Sequence, residues 1–106
     1  MRQFLAVLIW LYTSVTWASE PVWIDVRSPA EFNAGHVDGA HHIPFDQVES
    51  GIHGLDVNKD SEIYLYCGAG GRAQVAKESL ERRGYSNVIN AGGLEEARDL
   101  SAQQQR

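Results

Sequence analysis

The architecture of the chain follows from one segment, Glu62-Ile63-Tyr64-Leu65-Tyr66-Cys67-Gly68-Ala69-Gly70-Gly71-Arg72. Residues 62–66 are rich in β-branched and aromatic side chains, which predicts a buried strand. The strand leads into a loop of glycine and alanine, after which residues 73–83 carry apolar side chains on one stripe and predict an amphipathic helix. That stripe consists of Ala73, Ala76 and Leu80. The segment is therefore predicted to be a strand, a loop of small residues and a helix.

Two further strands are predicted on the N-terminal side of this segment. Residues 22–26 are a short apolar run typical of a buried strand, and residues 40–43 are predicted as a second short strand that Pro44 ends. Between them, Ser28-Pro29-Ala30-Glu31 predicts a helix start, with serine at the N-cap, proline at the first helical position and glutamate three residues after the serine. Gly35 is predicted to end this helix, and residues 45–52 predict a further short helix.

On the C-terminal side, Gly84 is predicted to end the amphipathic helix. Residues 88–89 predict a strand, Gly92-Gly93 a turn and residues 94–103 a last helix. Strands that alternate with helices predict an α/β fold, here a single domain with a mainly parallel central sheet flanked by helices. Ligands of such sheets bind beyond the carboxyl ends of the strands, which is where Cys67 follows its strand.

The first 18 residues predict a secretory signal peptide rather than part of the fold. Met1-Arg2-Gln3 supplies a positive start, residues 4–12 are an unbroken apolar run, and Thr16-Trp17-Ala18 is a loose small-x-small cleavage site. We expect cleavage directly after this site, a folded domain over residues 19–106, and export to the periplasm. An uncleaved membrane anchor is the alternative, but the apolar stretch is shorter than the roughly 20 residues that a spanning helix needs.

Charge and cysteine content narrow the classes of function. The chain has 106 residues, with 14 acidic residues against 9 lysine and arginine residues and a formal net charge of −5. It has no basic patch for phosphate backbones, so we expect no nucleic acid partner and no stable membrane association after cleavage. Its one cysteine cannot form a disulfide within the chain and is either inert and buried or reactive.

The loop Cys67-Gly68-Ala69-Gly70-Gly71-Arg72 has the composition of a reactive-cysteine site. Its small side chains let backbone N–H groups converge on one point, and the positive end of the following helix faces the same point. A cysteine there should have a pKa below its free value of about 8.5 and react as a thiolate, while Arg72 offers a cation to an oxyanion. An inert structural cysteine is the alternative, and the glycines with the arginine favour the reactive one.

With these motifs the sequence resembles the rhodanese-like sulfurtransferases over residues 22–97. The loop fits their Cys-x-x-Gly-x-Arg pattern, Ile24-Asp25-Val26-Arg27 is similar to their first-strand motif, and residues 31–44 are similar to their Glu-x-x-x-Gly-His-(Ile/Val)-x-Gly-Ala-x-x-Ile-Pro signature. The C-terminal matches are Gly84-Tyr85, Val88 and Gly92-Gly93-Leu94. With its predicted leader, the chain is most similar to the small exported single-domain rhodaneses of the phage-shock-protein E type, which have a shorter gap between the cysteine and the arginine.

The resemblance implies a thiosulfate sulfurtransferase without metal or organic cofactor. Cys67 would take a sulfane sulfur from a donor such as thiosulfate, carry it as a persulfide and pass it to a thiol or to cyanide. The substrate-binding residues implied are Gly68, Ala69, Gly70, Gly71, Arg72 and Ala73. Two alternatives stay open: a 3-mercaptopyruvate sulfurtransferase, whose loop also begins Cys-Gly-(Ser/Ala)-Gly, and a non-catalytic module that carries or binds persulfide. Related phosphatases and arsenate reductases have a loop one residue longer, so phosphatase activity is not expected.

Asp25 and Arg27 are the predicted supporting residues, two apart on a strand and facing the same way. They either orient the loop or form a structural ion pair, and the ion pair is favoured. Glu31 is expected to cap its helix. His41 and His42 point to opposite faces of a strand, so no metal site is expected, and the sequence defines no oligomeric state.

Overall fold

The computed structural model describes residues 20–105, so the predicted signal peptide, residues 1–18, lies outside the described residues. The strands are β1 (Val22–Asp25), β2 (His41–His42), β3 (Ile63–Cys67) and β4 (Val88–Gly93). The helices are α1 (Pro29–Ala34), α2 (Val48–Gly51), α3 (Gly71–Arg82) and α4 (Leu94–Gln104). Short 3-10 helices over Phe45–Gln47 and Ile52–Gly54 flank α2.

The four strands form one sheet in the order β2-β1-β3-β4, and every neighbouring pair is parallel. This confirms the prediction of an α/β domain with a parallel central sheet flanked by helices. Because the strands are parallel, their carboxyl ends share one edge, where β1 ends at Asp25 and β3 ends at Cys67. The predicted site residues therefore lie at the edge where parallel sheets bind their ligands.

The two faces of the sheet are covered by separate apolar clusters. Along β3, alternate side chains point to opposite faces, so Leu65 joins the cluster under α3 while Tyr64 joins the cluster under α4. On the α3 side, the predicted stripe of Ala73, Ala76 and Leu80 is fully buried, which confirms that interpretation. On the α4 side, Trp23 stacks on Tyr64 with ring centroids 4.7 Å apart.

Several element boundaries differ from the predictions by one to three residues. β1 ends one residue early, at Asp25, and β2 has two residues instead of the four predicted over 40–43. β2 is an edge strand whose ladder with β1 comprises His41 and His42, and beyond it the Ile43 N–H still donates to the carbonyl of Asp25 at 3.0 Å. The helix predicted over 45–52 is a four-residue α2 between the two 3-10 turns.

The prediction of a turn at Gly92-Gly93 is wrong. Both glycines belong to β4, and Gly93 pairs with Cys67 after a shift in register between Leu65 and Cys67. The shift is possible because Gly92 takes a φ of 83°, a left-handed conformation that glycine adopts without strain. α4 then begins immediately at Leu94, capped by Glu96, whose carboxylate accepts from the Gly93 N–H at 2.6 Å.

None of the helices among residues 20–105 is long and apolar enough to cross a membrane.

Candidate active site

Cys67 is the last residue of β3 and α3 begins at Gly71, so only residues 68–70 connect the strand to the helix. Gly70 makes the reversal with a φ of 101°, which strains any residue that has a Cβ. The tight turn aims the first N–H groups of α3, which have no partner within the helix, back at the cysteine. Cys67 keeps only 2% of its surface exposed.

The sulfur of Cys67 sits among backbone donors. The N–H of Gly70 lies 2.9 Å from Sγ. Burial of the sulfur raises the pKa of Cys67, but four backbone N–H groups lower it by more, so the pKa lies below its ordinary value. These N–H groups belong, in order of effect, to Ala73, Ala69, Gly70 and Arg72. The predicted direction of the pKa shift is confirmed, and the loop stabilises the thiolate form of Cys67.

Gly68 and Gly71, which the sequence also assigns to substrate binding, are placed differently from the four donors. The carbonyl of Gly68 packs so closely against Gly93 that a Cβ at position 93 would overlap it. At Gly71, a Cβ would meet no atom within 4 Å. Gly68 thus belongs to the contact between the loop and β4, and Gly71 leaves open space at the start of α3.

Arg72 points from the start of α3 to Glu31 on α1 and forms a two-point ion pair with it. Its Nη1 and Nη2 lie 2.8 and 3.1 Å from Oε1 and Oε2 of Glu31. The Arg72 guanidinium, with help from Ser28, lowers the pKa of Glu31 to about 2. The pKa of Arg72 is raised, first by Glu31 and also by the nearby Cys67. The guanidinium therefore interacts with the Glu31 carboxylate and with Cys67.

Glu31 is a site residue that the sequence interpretation missed. It does cap α1 as expected, since Ser28 and Glu31 form a complete capping box. In the sequence, the capping box alone accounts for a glutamate at this position, so the sequence gives no sign of a second role for Glu31. The pair with Arg72 joins positions 41 residues apart, and spacing along the chain gives no signal for such a contact.

Asn90 on β4 is a second contributor that the sequence did not reveal. Its side-chain amide donates to the carbonyl of Gly70 at 3.0 Å and to the side chain of Gln74 at 3.1 Å. Its oxygen accepts from the N–H of Gly92 at 2.9 Å. Gly70, the residue that reverses the loop, is thereby tied to β4. An asparagine two residues before a glycine pair is the one available signal, because such side chains often bind nearby backbone.

Asp25 and Arg27 form a buried ion pair at the end of β1. The Arg27 Nη2 lies 2.7 Å from the Asp25 Oδ2, and the same nitrogen donates to the carbonyl of Gly35 at 2.5 Å. The Arg27 guanidinium also lies 5.6 Å from the ring centre of Tyr66, whose pKa burial raises to about 12. These contacts fasten the end of α1 to the sheet, and the hydrogen bonds described for Arg27 go to residues other than those of the Cys67 loop.

Two histidines near this edge are engaged in hydrogen bonds to backbone. The Nε2 of His42 lies 2.7 Å from the carbonyl of Arg27, and the Nδ1 of His36 lies 2.8 Å from the carbonyl of Phe32. Each ring nitrogen acts as the donor in these pairs, because a carbonyl oxygen only accepts. Within residues 20–105, no group of three or more histidine, cysteine, aspartate or glutamate residues is arranged to hold a metal ion.

The sequence matches a family model, that of the rhodanese-like domain, over residues 10–99. The chain therefore belongs to the rhodanese-like domain family, and the resemblance stated from its motifs is confirmed. The match covers most of the 106 residues, so the family accounts for the whole of the described sheet.

Among curated proteins, the chain is 38% identical over 95 residues to thiosulfate sulfurtransferase PspE of Escherichia coli. The aligned residues cover 90% of this chain and 90% of that protein. It is 34% identical over 67 residues to the putative sulfur carrier protein YrkF of Bacillus subtilis, covering 63% of this chain and 35% of that protein. Among solved structures, a rhodanese from E. coli determined with anions superposes with a TM-score of 0.69 and 40% identity, covering 73% of this chain and 91% of that one.

Proposed function

We propose that this protein is a thiosulfate sulfurtransferase in which Cys67 is the nucleophile. The observation that carries the proposal is the lowered pKa of Cys67 inside a ring of N–H donors. Membership of the rhodanese-like family and the similarity to a thiosulfate sulfurtransferase support the choice of reaction.

In the first step, the Cys67 thiolate attacks the outer sulfur of thiosulfate. The bond between Sγ and that sulfur forms while the sulfur–sulfur bond of thiosulfate breaks, and its electron pair leaves with sulfite. Cys67 then carries a persulfide anion, so the single charge of the thiolate is kept and sulfite leaves as a dianion. The N–H groups that hold the thiolate are positioned to stabilise the persulfide charge.

In the second step, cyanide or a thiolate attacks the terminal sulfur of the persulfide. The product is thiocyanate or a new persulfide, and the Cys67 thiolate returns. The transferred sulfur extends about 2 Å beyond Sγ, so an acceptor meets it nearer the surface than the 2% exposed cysteine itself. The low exposure favours donors whose transferable sulfur projects from the rest of the molecule, as it does in thiosulfate.

A sulfur-carrying module is the second candidate, and the similarity to a putative sulfur carrier protein favours it. Both candidates need Cys67, so the distinction lies in turnover. A carrier forms one persulfide per chain and stops, whereas an enzyme continues to release product.

The test is thiocyanate formation from thiosulfate and cyanide by the wild type and by Cys67→Ser. We expect many turnovers from the wild type and none above background from the variant, because serine supplies no thiolate. Intact-mass measurement after thiosulfate alone should show one added sulfur on the wild type only. Equal rates for the two proteins would refute the nucleophile, and a single turnover by the wild type would favour the carrier.

A further inference from the structure

The ion pair of Glu31 and Arg72 lies beside the nucleophile and sets the charge that a donor meets. Arg72 reaches Glu31 with both terminal nitrogens, at 2.8 and 3.1 Å, and about a third of each side chain is exposed. The Arg72 Nη2 lies 3.3 Å from the position that a Cβ on Gly68 would occupy, one residue from Cys67, and Cys67 contributes to the raised pKa of Arg72. The pair is thus within reach of both solvent and the reacting sulfur.

The carboxylate of Glu31 is fixed in place rather than free to move aside. Its Oε1 accepts from the N–H of Ser28 at 3.1 Å and from the Ser28 hydroxyl at 3.0 Å. The first is a bond of the capping box that starts α1, and the second is an additional bond from the same serine. An incoming anion can therefore bind Arg72 only in competition with the Glu31 carboxylate, which the start of α1 holds in place.

The charge of Arg72 is consequently cancelled before a donor arrives. With Glu31 ionised, the group formed by Arg72, Glu31 and the Cys67 thiolate carries one net negative charge. A second arginine at this end of the sheet, Arg27, is likewise engaged, by Asp25 at 2.7 Å. A dianion such as thiosulfate meets more repulsion here than a singly charged or neutral donor does.

We propose that Glu31 is a specificity-determining residue, whose pairing with Arg72 selects donors of low negative charge, such as the monoanionic persulfides of thiols, over dianions. The kinetic part of this proposal rests on the proposed sulfurtransferase function. Its electrostatic part concerns only the approach of anions to Cys67 and is measurable without turnover.

The experiment compares alkylation of Cys67 by anionic iodoacetate and by neutral iodoacetamide. Cys67 is the only cysteine of the sequence, so both reagents report on one sulfur, and the ratio of their rates cancels the fraction of thiolate. In Glu31→Gln the ratio of iodoacetate to iodoacetamide rates should rise about two- to fivefold, the range for a partly exposed charge. Glu31→Ala should shift the ratio in the same direction.

Glu49→Gln is the matched control. Glu49 also has a side chain that is 38% exposed and also pairs with an arginine, Arg83, at 3.1 Å, but on α2 and away from the loop. The substitution changes the net charge by the same amount, so it should leave the ratio unchanged. An unchanged ratio in both Glu31 variants, or an equal shift in Glu49→Gln, would overturn the proposal.

The Glu31 variants are expected to fold. Glutamine keeps an oxygen for Ser28, and α1 buries none of its own residues. A measurement on the wild type adds an independent check, because repulsion at the site is screened by salt. The wild-type ratio should rise with ionic strength and rise more than that of Glu31→Gln; a wild-type ratio insensitive to salt would contradict the proposal.

Thiosulfate kinetics separate this proposal from the proposed function. If the protein turns over thiosulfate, Glu31→Gln should lower the KM about two- to fivefold. Absence of turnover together with a raised alkylation ratio would refute the function and support the role of Glu31. Turnover with an unchanged KM and an unchanged ratio would refute the role of Glu31 and leave the function standing.

Discussion

At the scale of single residues, the chemistry depends on how the Cys67 sulfur is solvated. Water is largely excluded from it, and backbone N–H groups take the place of water. These groups are fixed by the fold, so the proposed transfer of charge from Sγ to a persulfide would need little reorganisation. The same donors determine the pH at which the protein becomes reactive.

The pH dependence of Cys67 alkylation should show its lowered pKa. We expect the rate with iodoacetamide to rise with pH with a midpoint below that of the same protein unfolded in urea. Since the folded pKa is the lower one, the thiolate stabilises the fold at alkaline pH, and this contribution is lost as pH falls through the folded pKa. A folded midpoint equal to or above the unfolded one would contradict the hydrogen-bonding account.

Arg72→Ala should weaken thiosulfate binding in addition to its effect on Glu31. Removing the guanidinium leaves the Glu31 carboxylate unpaired next to the thiolate, so anions are repelled from two sides. We expect the KM for thiosulfate to rise about three- to tenfold. Steady-state kinetics of thiocyanate formation measure the change.

Arg83→Ala provides the comparison for this prediction. Arg83 pairs with Glu49 at 3.1 Å near the far end of α3, and its loss removes the same charge from the protein. Its KM should match that of the wild type. A KM unchanged in Arg72→Ala, or changed equally in both variants, would exclude Arg72 from donor binding.

At the scale of elements, the turn from β3 into α3 depends on one glycine and tolerates change at its neighbour. Gly70 has a φ of 101°, so Gly70→Ala should lower the free energy of unfolding by about 1–2 kcal/mol. Gly71 starts the helix and has open space around its Cβ position. Gly71→Ala should leave the free energy of unfolding unchanged or raise it by up to about 1 kcal/mol.

Urea denaturation of the two variants checks this contrast. The free energy of unfolding of Gly71→Ala should equal or exceed that of the wild type, and that of Gly70→Ala should be lower than that of the wild type. The reverse order would mean that the conformation of Gly70 is not what constrains the loop. The backbone N–H of residue 70 donates to Sγ, and a shift of the backbone away from its left-handed conformation would move this donor, so Gly70→Ala should lose reactivity at neutral pH as well as stability.

Elements were predictable where one local pattern decides them. The strand before Cys67, the stripe of α3 and the capping box of α1 each follow from neighbouring residues, and each appears in the structure. The end of β4 was not predicted, because two adjacent glycines in a sequence indicate a turn. They belong to a strand only where a neighbouring strand pairs with them. Gly93 has such a partner in Cys67, in a register that only the assembled sheet defines.

The candidate site shows the same division between local and distant information. The N–H groups around Cys67 follow from the loop and the start of its helix, so the lowered pKa was predictable. Glu31 and Asn90 reach the loop from α1 and β4, and their spacing along the chain does not indicate these contacts. Their contributions arise from how α1 and β4 pack against the loop, which only the three-dimensional structure shows.

At the scale of the whole molecule, the predicted leader ends just before the fold begins. β1 starts at Val22, so cleavage after Ala18 would leave only Ser19, Glu20 and Pro21 ahead of the first strand. We propose that the protein is exported to the periplasm, and we expect N-terminal sequencing of the exported protein to begin near Ser19. A start at Met1 in a membrane fraction would favour the anchor instead.

The order of the strands also determines when the contacts around the Cys67 loop can form during synthesis of the chain. β1 lies inside the sheet, yet its partner β3 is made much later, since Val22 pairs with Ile63 and Ile63 in turn with Val88. Pairings between such distant parts of a chain form slowly and only once both parts exist. Asn90 and Gly93, which contact the loop, are made after the loop itself. A chain in which Asn90 and Gly93 have not yet been made therefore lacks the contacts that tie the loop of Cys67 to the sheet.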